Sequence, residues 1–172
     1  MVIWIIGMSA SGKTTLGKKI YELWKEKNSN TVLVDGDEIR RIFNHDRSED
    51  AYTLEGRKKN AERIRELCAW LDRQEINVVC CILSIFEESH EWNRQNLSKY
   101  FEVAIQVPME KLQERETKGL YARALNGEQK NVVGVDIPFV APLHPDYFFD
   151  NSSDTNNLAE EAQKILALAF KK

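Results

Sequence analysis

Eight consecutive residues near the amino terminus have the types and spacing needed to hold a phosphate. They run from Gly7 to Thr14, read GMSASGKT, and match the pattern G-x-x-x-x-G-K-[ST] at every fixed position. Glycines let backbone N–H groups curl around an anion, the lysine adds a mobile positive charge, and the threonine hydroxyl can ligate Mg²⁺. A chance match in a chain of this length has a probability below about one in a hundred. The motif therefore predicts binding of a nucleoside triphosphate with Mg²⁺.

The elements on both sides of this phosphate loop (residues 7–14) are those that the motif requires. The apolar run from Val2 to Ile6 is typical of a buried strand, and the apolar residues from Leu16 to Trp24 recur at helical spacing. A helix that begins near Gly12 directs its unpaired N–H groups and its positive dipole end toward a bound phosphate. The predicted ATP-binding residues, with Thr14 also the Mg²⁺ ligand, are Gly7, Ser9, Ala10, Ser11, Gly12, Lys13, Thr14 and Thr15.

Two acidic residues follow the next predicted strand. The run from Thr31 to Val34 is short and apolar, and Asp35 and Asp37 come directly after it. Ligands of open α/β sheets bind at the carboxyl ends of the strands, so this pair should lie near the phosphate loop. Either carboxylate can orient a metal shell or accept the proton of an attacking hydroxyl, and Asp37 is the preferred base. The structural alternative is that Asp37 caps a helix, and both roles can hold together.

Strands and helices alternate along the rest of the chain, which is typical of a parallel sheet covered on both faces. Further strands are predicted at 78–83, 101–107 and 147–149, and helices at 57–74, 87–99, 109–117 and 158–170. Residues 44–56 are predicted to be a surface loop. The segment 118–145 contains three prolines and three glycines, so it is predicted to have little core-forming potential and to act as a lid. We therefore predict one α/β domain over residues 1–172, with the three-layer phosphate-loop kinase fold and a five-stranded parallel sheet.

The composition excludes several classes of protein. A net charge of −3 gives no basic field for nucleic acid, and no apolar run approaches the roughly 18 residues of a membrane span. Cys68, Cys80 and Cys81 lack metal-ligand spacing and are predicted to be small buried residues in a reducing compartment. The N-terminus lacks the pattern of a signal peptide, and we expect a cytoplasmic protein. The sequence leaves open whether the chain forms a homodimer through the helices around Trp70 or Trp92.

Several separated blocks make the chain similar to the adenylylsulfate kinases, a family of phosphate-loop kinases. The blocks are Gly7–Thr15, Val34–Asp37 with Arg40, Arg57 and Asn60 with Arg63, Ser84, Lys118–Tyr121, Gly127–Glu128, Lys130, Gly134–Asp136 and Pro138. The resemblance implies ATP-dependent transfer of a phosphoryl group to the 3′-hydroxyl of a small anionic nucleotide.

The same resemblance implies roles for individual residues. Catalytic roles fall on Lys13, Asp35, Asp37 and Ser84, the last of which aligns with a serine proposed to be phosphorylated in the family. Roles in binding the acceptor fall on Asp37, Arg40, Tyr52, Arg57, Asn60, Ser84, Ile85, Phe86, Lys118, Leu120 and Val132. A solvated helix face is the alternative for any single arginine of this set, since 30% of the chain is charged.

The chain departs from the family pattern on the acceptor side. The family typically holds the adenine between two aromatic rings, and the corresponding positions are Tyr52 and Val132. Glu87 stands at a position where the family pattern has an arginine. Gly56 stands at the position before Arg57, where the family pattern has an acidic residue. Loss of one stacking ring costs about 1–3 kcal/mol. The cluster of changes predicts a different acceptor, for which cytidine diphosphoramidate is a candidate; its kinase resembles this family and serves capsule polysaccharide modification.

Three alternatives differ in class. A GTP-dependent switch is disfavoured because its Asn-Lys-x-Asp element is absent. A non-catalytic nucleotide-binding module is disfavoured because Lys13, Thr14 and both aspartates are present. A kinase for another small metabolite, such as shikimate or gluconate, is disfavoured by the run from Lys118 to Tyr121.

Overall fold

A computed structural model describes all residues, 1–172, and is organised around one parallel sheet of five strands. The strands are β1 (Val2–Ile6), β2 (Thr31–Asp35), β3 (Asn77–Ile82), β4 (Tyr100–Gln106) and β5 (Tyr147–Asp150). Their order across the sheet is β2-β3-β1-β4-β5, and every neighbouring pair is parallel. The central strand β1 is buried along its whole length, as expected for a strand covered on both faces.

Helices cover both faces of the sheet. They are α1 (Lys13–Lys27), α2 (Gly36–Ile42), α3 (Leu54–Asp72), α4 (Glu87–Asn96), α5 (Met109–Arg115), α6 (Leu120–Leu125) and α7 (Leu158–Ala169). Alternate residues of β1 belong to two cores: Ile3 and Ile5 pack with α1 and α7, while Trp4 packs with α3. The predicted three-layer fold is confirmed. None of the helices combines the length and the hydrophobicity needed to cross a bilayer.

Helices α2 and α3 differ from the sequence-based expectation at their amino-terminal ends. Asp35, rather than Asp37, caps α2: its Oδ1 accepts hydrogen bonds from the N–H groups of Asp37 at 3.0 Å and Glu38 at 3.4 Å. The prediction of Asp37 as the cap is therefore wrong. Helix α3 begins before the predicted residue 57 because the Thr53 hydroxyl accepts from the Gly56 N–H at 3.1 Å and caps the helix at that point.

The segment 118–145, which we call the lid segment, is better packed than predicted. Its buried apolar residues are Tyr121, Ala124, Val132, Val133 and Ile137. The Tyr121 hydroxyl donates a hydrogen bond to the backbone carbonyl of Ser9 at 2.9 Å, which docks α6 on the phosphate loop. The few apolar residues of the segment are concentrated where it touches the core, so a segment of low core-forming potential still packs against it.

The three cysteines and the two tryptophans singled out in the sequence belong to no cluster of metal ligands. All three cysteines are buried and unpaired, and no group of three potential metal-ligating side chains exists. Burial raises the pKa of Cys81 to about 12, so this thiol is not a reactive thiolate. Trp70 is 53% exposed, whereas Trp92 packs under the Arg65 guanidinium. A homodimer through these helices stays a prediction.

Candidate active site

One large cavity opens where β1, β2 and β3 end, and it has a volume of about 580 Å³. Phosphate-loop residues, α2, α3 and the lid segment all contribute to its walls. The predicted site residues that line it are Ser9, Ala10, Gly12, Lys13, Thr14, Thr15, Asp35, Asp37, Arg40, Tyr52, Arg57, Asn60, Lys118, Leu120 and Val132. Residues far apart in the sequence therefore meet at the carboxyl edge of the sheet, as the topology requires.

The backbone of the phosphate loop is shaped to hold an anion. Ala10 and Gly12 have left-handed φ angles of 63° and 96°, and Gly12 precedes the first residue of α1. Such turns point successive N–H groups into one concavity, beside the positive end of the helix dipole. Gly7 and Ser11 lie behind the loop, and a Cβ at Gly7 would meet the Ser11 hydroxyl oxygen at 2.5 Å. They shape the loop without lining the cavity.

Lys13 lies inside this loop. Its Nζ donates a hydrogen bond to the Met8 carbonyl at 2.7 Å. Burial lowers the pKa of Lys13, while the negative charges of Asp37 and Asp35 act in the opposite direction. A phosphate bound in the loop would supply the missing counter-charge to this ammonium.

Thr14, Asp35 and Asp37 differ in how much of their hydrogen-bonding capacity is used. The Thr14 hydroxyl donates to Asp35 Oδ2 at 2.8 Å, and Asp35 Oδ1 caps α2, so both oxygens of Asp35 are engaged. The side chain of Asp37 is 84% exposed, and its one partner is Arg40 at 3.5 Å. Asp37 is thus the carboxylate that is free to meet a substrate hydroxyl.

The opposite wall of the cavity is built around Tyr52. The guanidinium carbons of Arg40 and Arg57 lie 4.6 and 5.6 Å from the centre of its ring. Arg57 also donates from Nε to the Tyr52 carbonyl at 2.9 Å and from Nη2 to the Asn131 carbonyl at 2.8 Å. Burial lowers the pKa of Arg57, and the charge of Arg40 lowers it further. Arg57 therefore joins α3 to the lid segment, while Asn60 reaches the Gly36 carbonyl at 3.4 Å.

The family model described as "Adenylylsulphate kinase" matches residues 1–150. The chain belongs to the adenylylsulfate kinase family. A cytidine diphosphoramidate kinase of Campylobacter jejuni is 40% identical over 96% of this chain and 94% of its own length. A probable adenylyl-sulfate kinase of Bacillus subtilis is 31% identical over 96% of this chain and 81% of its own length. Membership makes this chain a phosphotransferase with an alcohol group as acceptor.

A solved structure supports the same assignment. The adenylylsulfate kinase CysC of Mycobacterium tuberculosis, solved in complex with AMPPNP and adenylylsulfate, has a TM-score of 0.85 and 26% identity, covering 99% of this chain and 97% of that one. The resemblance seen in the sequence is thereby confirmed.

Four residues that the family pattern places near the acceptor lie elsewhere. Ser84, Ile85, Phe86 and Glu87 do not line the cavity. The Ser84 side chain is fully buried, and its hydroxyl lies 3.3 Å from Nε2 of His90. Residues 81–83 reach the cavity, and the chain then turns into α4 after β3. A role of Ser84, Ile85 and Phe86 in the site stays a prediction.

Gly56 has a local explanation. A Cβ at this position would lie 2.0 Å from the Asp50 carbonyl oxygen, so the close approach of the preceding loop excludes any side chain. The family's acidic residue could not fit here without a different course of residues 44–53.

Sequence reasoning missed several residues that line the cavity. They are Arg115, Glu116, Arg123, Gln129 and Asn131. Arg115, at the end of α5, is held by the Asn151 carbonyl at 2.6 Å and by Asp154 at 2.7 Å. The available signal was the density of charged and amide side chains between residues 115 and 131, which a solvated loop would also show.

Proposed function

We propose that the acceptor is a cytidine nucleotide of the diphosphoramidate type, and that the chain transfers the γ-phosphoryl group of ATP to its ribose 3′-hydroxyl. The observation that carries this proposal is that Tyr52 is the one aromatic residue among those that line the cavity, and that Val132, which the sequence resemblance aligns with the family's second ring, also lines it. The 40% identity to a cytidine diphosphoramidate kinase, against 29% and 31% to two adenylyl-sulfate kinases, supports it.

Base stacking explains why one ring favours the smaller base. Stacking of a base on an aromatic side chain contributes about 1–3 kcal/mol, and a purine has more area to lose than a pyrimidine when one ring is absent. Val132 is buried and still lines the cavity, so it can contact one face of a base but cannot stack on it. The exposed ring of Tyr52 supplies the other face, fixed in place by Arg57.

The donor phosphates bind to the phosphate loop and to Lys13. Thr14 and Asp35 fit a Mg²⁺ site, because a hydroxyl and a carboxylate stand 2.8 Å apart at the cavity wall and Mg²⁺ prefers few protein oxygens together with phosphate oxygens. When bound, Mg²⁺ neutralises charge on the donor phosphates. Phosphoryl transfer needs this positioning and neutralisation more than covalent chemistry.

Asp37 accepts the proton of the acceptor hydroxyl. The hydroxyl oxygen forms a bond to the γ-phosphorus, the bond between this phosphorus and the β–γ bridging oxygen breaks, and ADP leaves. Asp37 suits this step because its carboxylate lies in the cavity with no partner but Arg40. The guanidinium groups of Arg40 and Arg57 are placed to bind the anionic part of the acceptor.

We further propose one kinase domain over residues 1–172, with the lid segment closing on the nucleotides in the cytoplasm. Contacts of Tyr121 with the phosphate loop and of Asn131 with Arg57 link this segment to both walls of the cavity. The three unpaired buried cysteines suit a reducing compartment. The phosphorylated cytidine product would serve capsule polysaccharide modification.

The test compares two acceptors under the same conditions. Transfer from γ-³²P-labelled ATP is measured with cytidine diphosphoramidate and with adenylylsulfate, and NMR locates the new phosphate. We expect kcat/KM for the cytidine acceptor to be higher by about 10- to 100-fold, which is the weight of one lost stacking ring. A higher kcat/KM for adenylylsulfate would overturn the proposal. ATP binding without turnover of any acceptor would indicate a binding module instead.

A further inference from the structure

The backbone of Asn131 is fixed on both sides while its side chain is not. Its N–H donates to Asp136 Oδ2 at 2.6 Å, its carbonyl accepts from Arg57 Nη2 at 2.8 Å, and its φ angle is 63°. Asn131 is one of the residues that line the cavity, and its hydrogen bonds within the protein are all made by its backbone, so its side-chain amide is unpaired. A rigid backbone therefore presents an unused donor and an unused acceptor to the bound ligand.

Arg57 brings the backbone of Asn131 close to the backbone of Tyr52. One guanidinium group donates to the carbonyls of both Tyr52 and Asn131, so these two residues are neighbours although they are far apart in the sequence. In the proposed function the ribose of a base stacked on Tyr52 lies toward Asp37, where the hydroxyl reacts. The edge of the base away from the sugar is then left for the lid segment, in which Asn131 is the residue tied to Tyr52 through Arg57.

We propose that Asn131 is a specificity-determining residue that binds the exocyclic amino group of the acceptor's base. Its Oδ1 accepts from the amino group, and its Nδ2 donates to the neighbouring ring nitrogen. Cytosine presents such a pair at N4 and N3, and adenine presents one at N6 and N1. This inference rests on the proposed acceptor site, but it does not depend on which of the two bases is bound.

A double-mutant cycle between protein and ligand tests the contact. The protein change is Asn131→Gly, which removes the amide and tolerates the left-handed φ without strain. The ligand change replaces cytosine in cytidine diphosphoramidate with pyrimidin-2-one, which lacks the amino group. We expect removal of the amino group to lower kcat/KM about 2- to 10-fold in the unaltered protein, the weight of one hydrogen bond, and to have no effect in Asn131→Gly.

A second variant at position 131 should keep the dependence on the amino group that Asn131→Gly loses. Asn131→Asp keeps an accepting oxygen at Oδ1 and is a residue type that tolerates positive φ, so the dependence on the amino group should persist. Asn126→Gly, an exposed lid-segment residue that does not line the cavity, is the matched control and should behave like the unaltered protein. Thermal unfolding midpoints and the KM for ATP show whether each variant keeps its fold.

The outcomes separate this inference from the proposed function. If cytidine diphosphoramidate is the better acceptor and its amino group matters equally with and without the Asn131 amide, the inference is wrong and the proposed function stands. If adenylylsulfate is the better acceptor, the proposed function fails. The cycle is then run with adenylylsulfate and its analogue lacking the 6-amino group, and an equal loss in both proteins would overturn the inference.

Discussion

The two halves of the cavity to which our proposal assigns the donor and the acceptor, here called the donor half and the acceptor half, are built in different ways. The donor half is the phosphate loop, a continuous stretch between the buried strand β1 and helix α1, and its backbone carbonyls at Ser9 and Ser11 accept hydrogen bonds from the side chains of Tyr121 and Asn151. The acceptor half takes Tyr52 from a loop, Arg57 from α3, and Asn131 and Val132 from the lid segment. Side-chain contacts of one arginine hold these segments together.

This difference explains how one family can keep a donor and change an acceptor. Backbone groups of the phosphate loop recognise phosphate whatever the side chains around them are. In our proposal, recognition in the acceptor half depends on single side chains, and we expect that Val132 in place of an aromatic ring changes the preferred base without disturbing the sheet. Relatives of this chain accordingly include both a cytidine diphosphoramidate kinase and adenylyl-sulfate kinases.

The largest effect is expected at Asp37, where the two halves meet. Asp37→Asn removes the proton acceptor, so kcat should fall by about 10²- to 10⁴-fold while the KM for ATP stays unchanged. Glu38→Gln, in the same first turn of α2, is the matched control and should retain kcat. Steady-state kinetics with saturating acceptor measure both. An unchanged kcat in Asp37→Asn would remove this residue from the mechanism.

Lys13 tests the donor half alone. Lys13→Ala removes the one ammonium inside the phosphate loop, and kcat/KM should fall by about 10²- to 10³-fold, as for other groups that stabilise transition-state charge. Acceptor affinity, measured by calorimetry without ATP, should not change. Lys19→Ala on the exposed face of α1 serves as the control. A parallel loss of acceptor affinity would contradict the division into two halves.

The donor half could be predicted from the sequence because its information is local. Strand, loop and helix follow one another within residues 2–27, and the spacing of the glycines and Lys13 fixes the geometry. Asp35 and Asp37 were also predictable, since they follow a strand in a parallel sheet. The role of Asp35 as the cap of α2 could not be predicted, because either aspartate could occupy the cap position in the sequence pattern.

The acceptor half required contacts between distant segments, and sequence patterns alone left it incomplete. Ser84 matches the family pattern, yet its position is decided by packing against His90, which in turn lies 2.7 Å from Glu102 on β4. Asn131 escaped notice because an asparagine in a polar segment has no periodic signal. Only the contact with Arg57, a residue of α3, gives it a defined place in the cavity.

Arg57 tests the connection within the acceptor half. Arg57→Lys keeps the charge but cannot donate to the Tyr52 and Asn131 carbonyls together, since a lysine lacks the planar fork of donors. We expect the KM for the acceptor to rise by about 10-fold, the weight of one or two hydrogen bonds, and the KM for ATP to stay constant. Arg73→Lys, at the exposed end of α3, is the matched control. An equal rise in the KM for ATP would show that Arg57 acts on both halves.

Asp136 gives the smallest expected effect, and it adds a pH dependence to the comparison. Its carboxylate accepts from the N–H groups of Asn131 at 2.6 Å and Val132 at 2.5 Å. Desolvation acts to raise the pKa of Asp136, but these two donors outweigh it and hold the pKa below its ordinary value of 3.8. The ionised carboxylate therefore orders this turn fully above about pH 4, and this order is lost as the pH falls through the lowered pKa of Asp136.

Acceptor affinity should weaken in that acidic range. At neutral pH, Asp136→Asn should raise the KM for the acceptor about 2- to 5-fold. Glu128→Gln, in the same segment, is the control and should leave this KM unchanged. Calorimetric titration of ATP into the same variants should give an unchanged affinity, since Asp136 touches nothing in the phosphate loop.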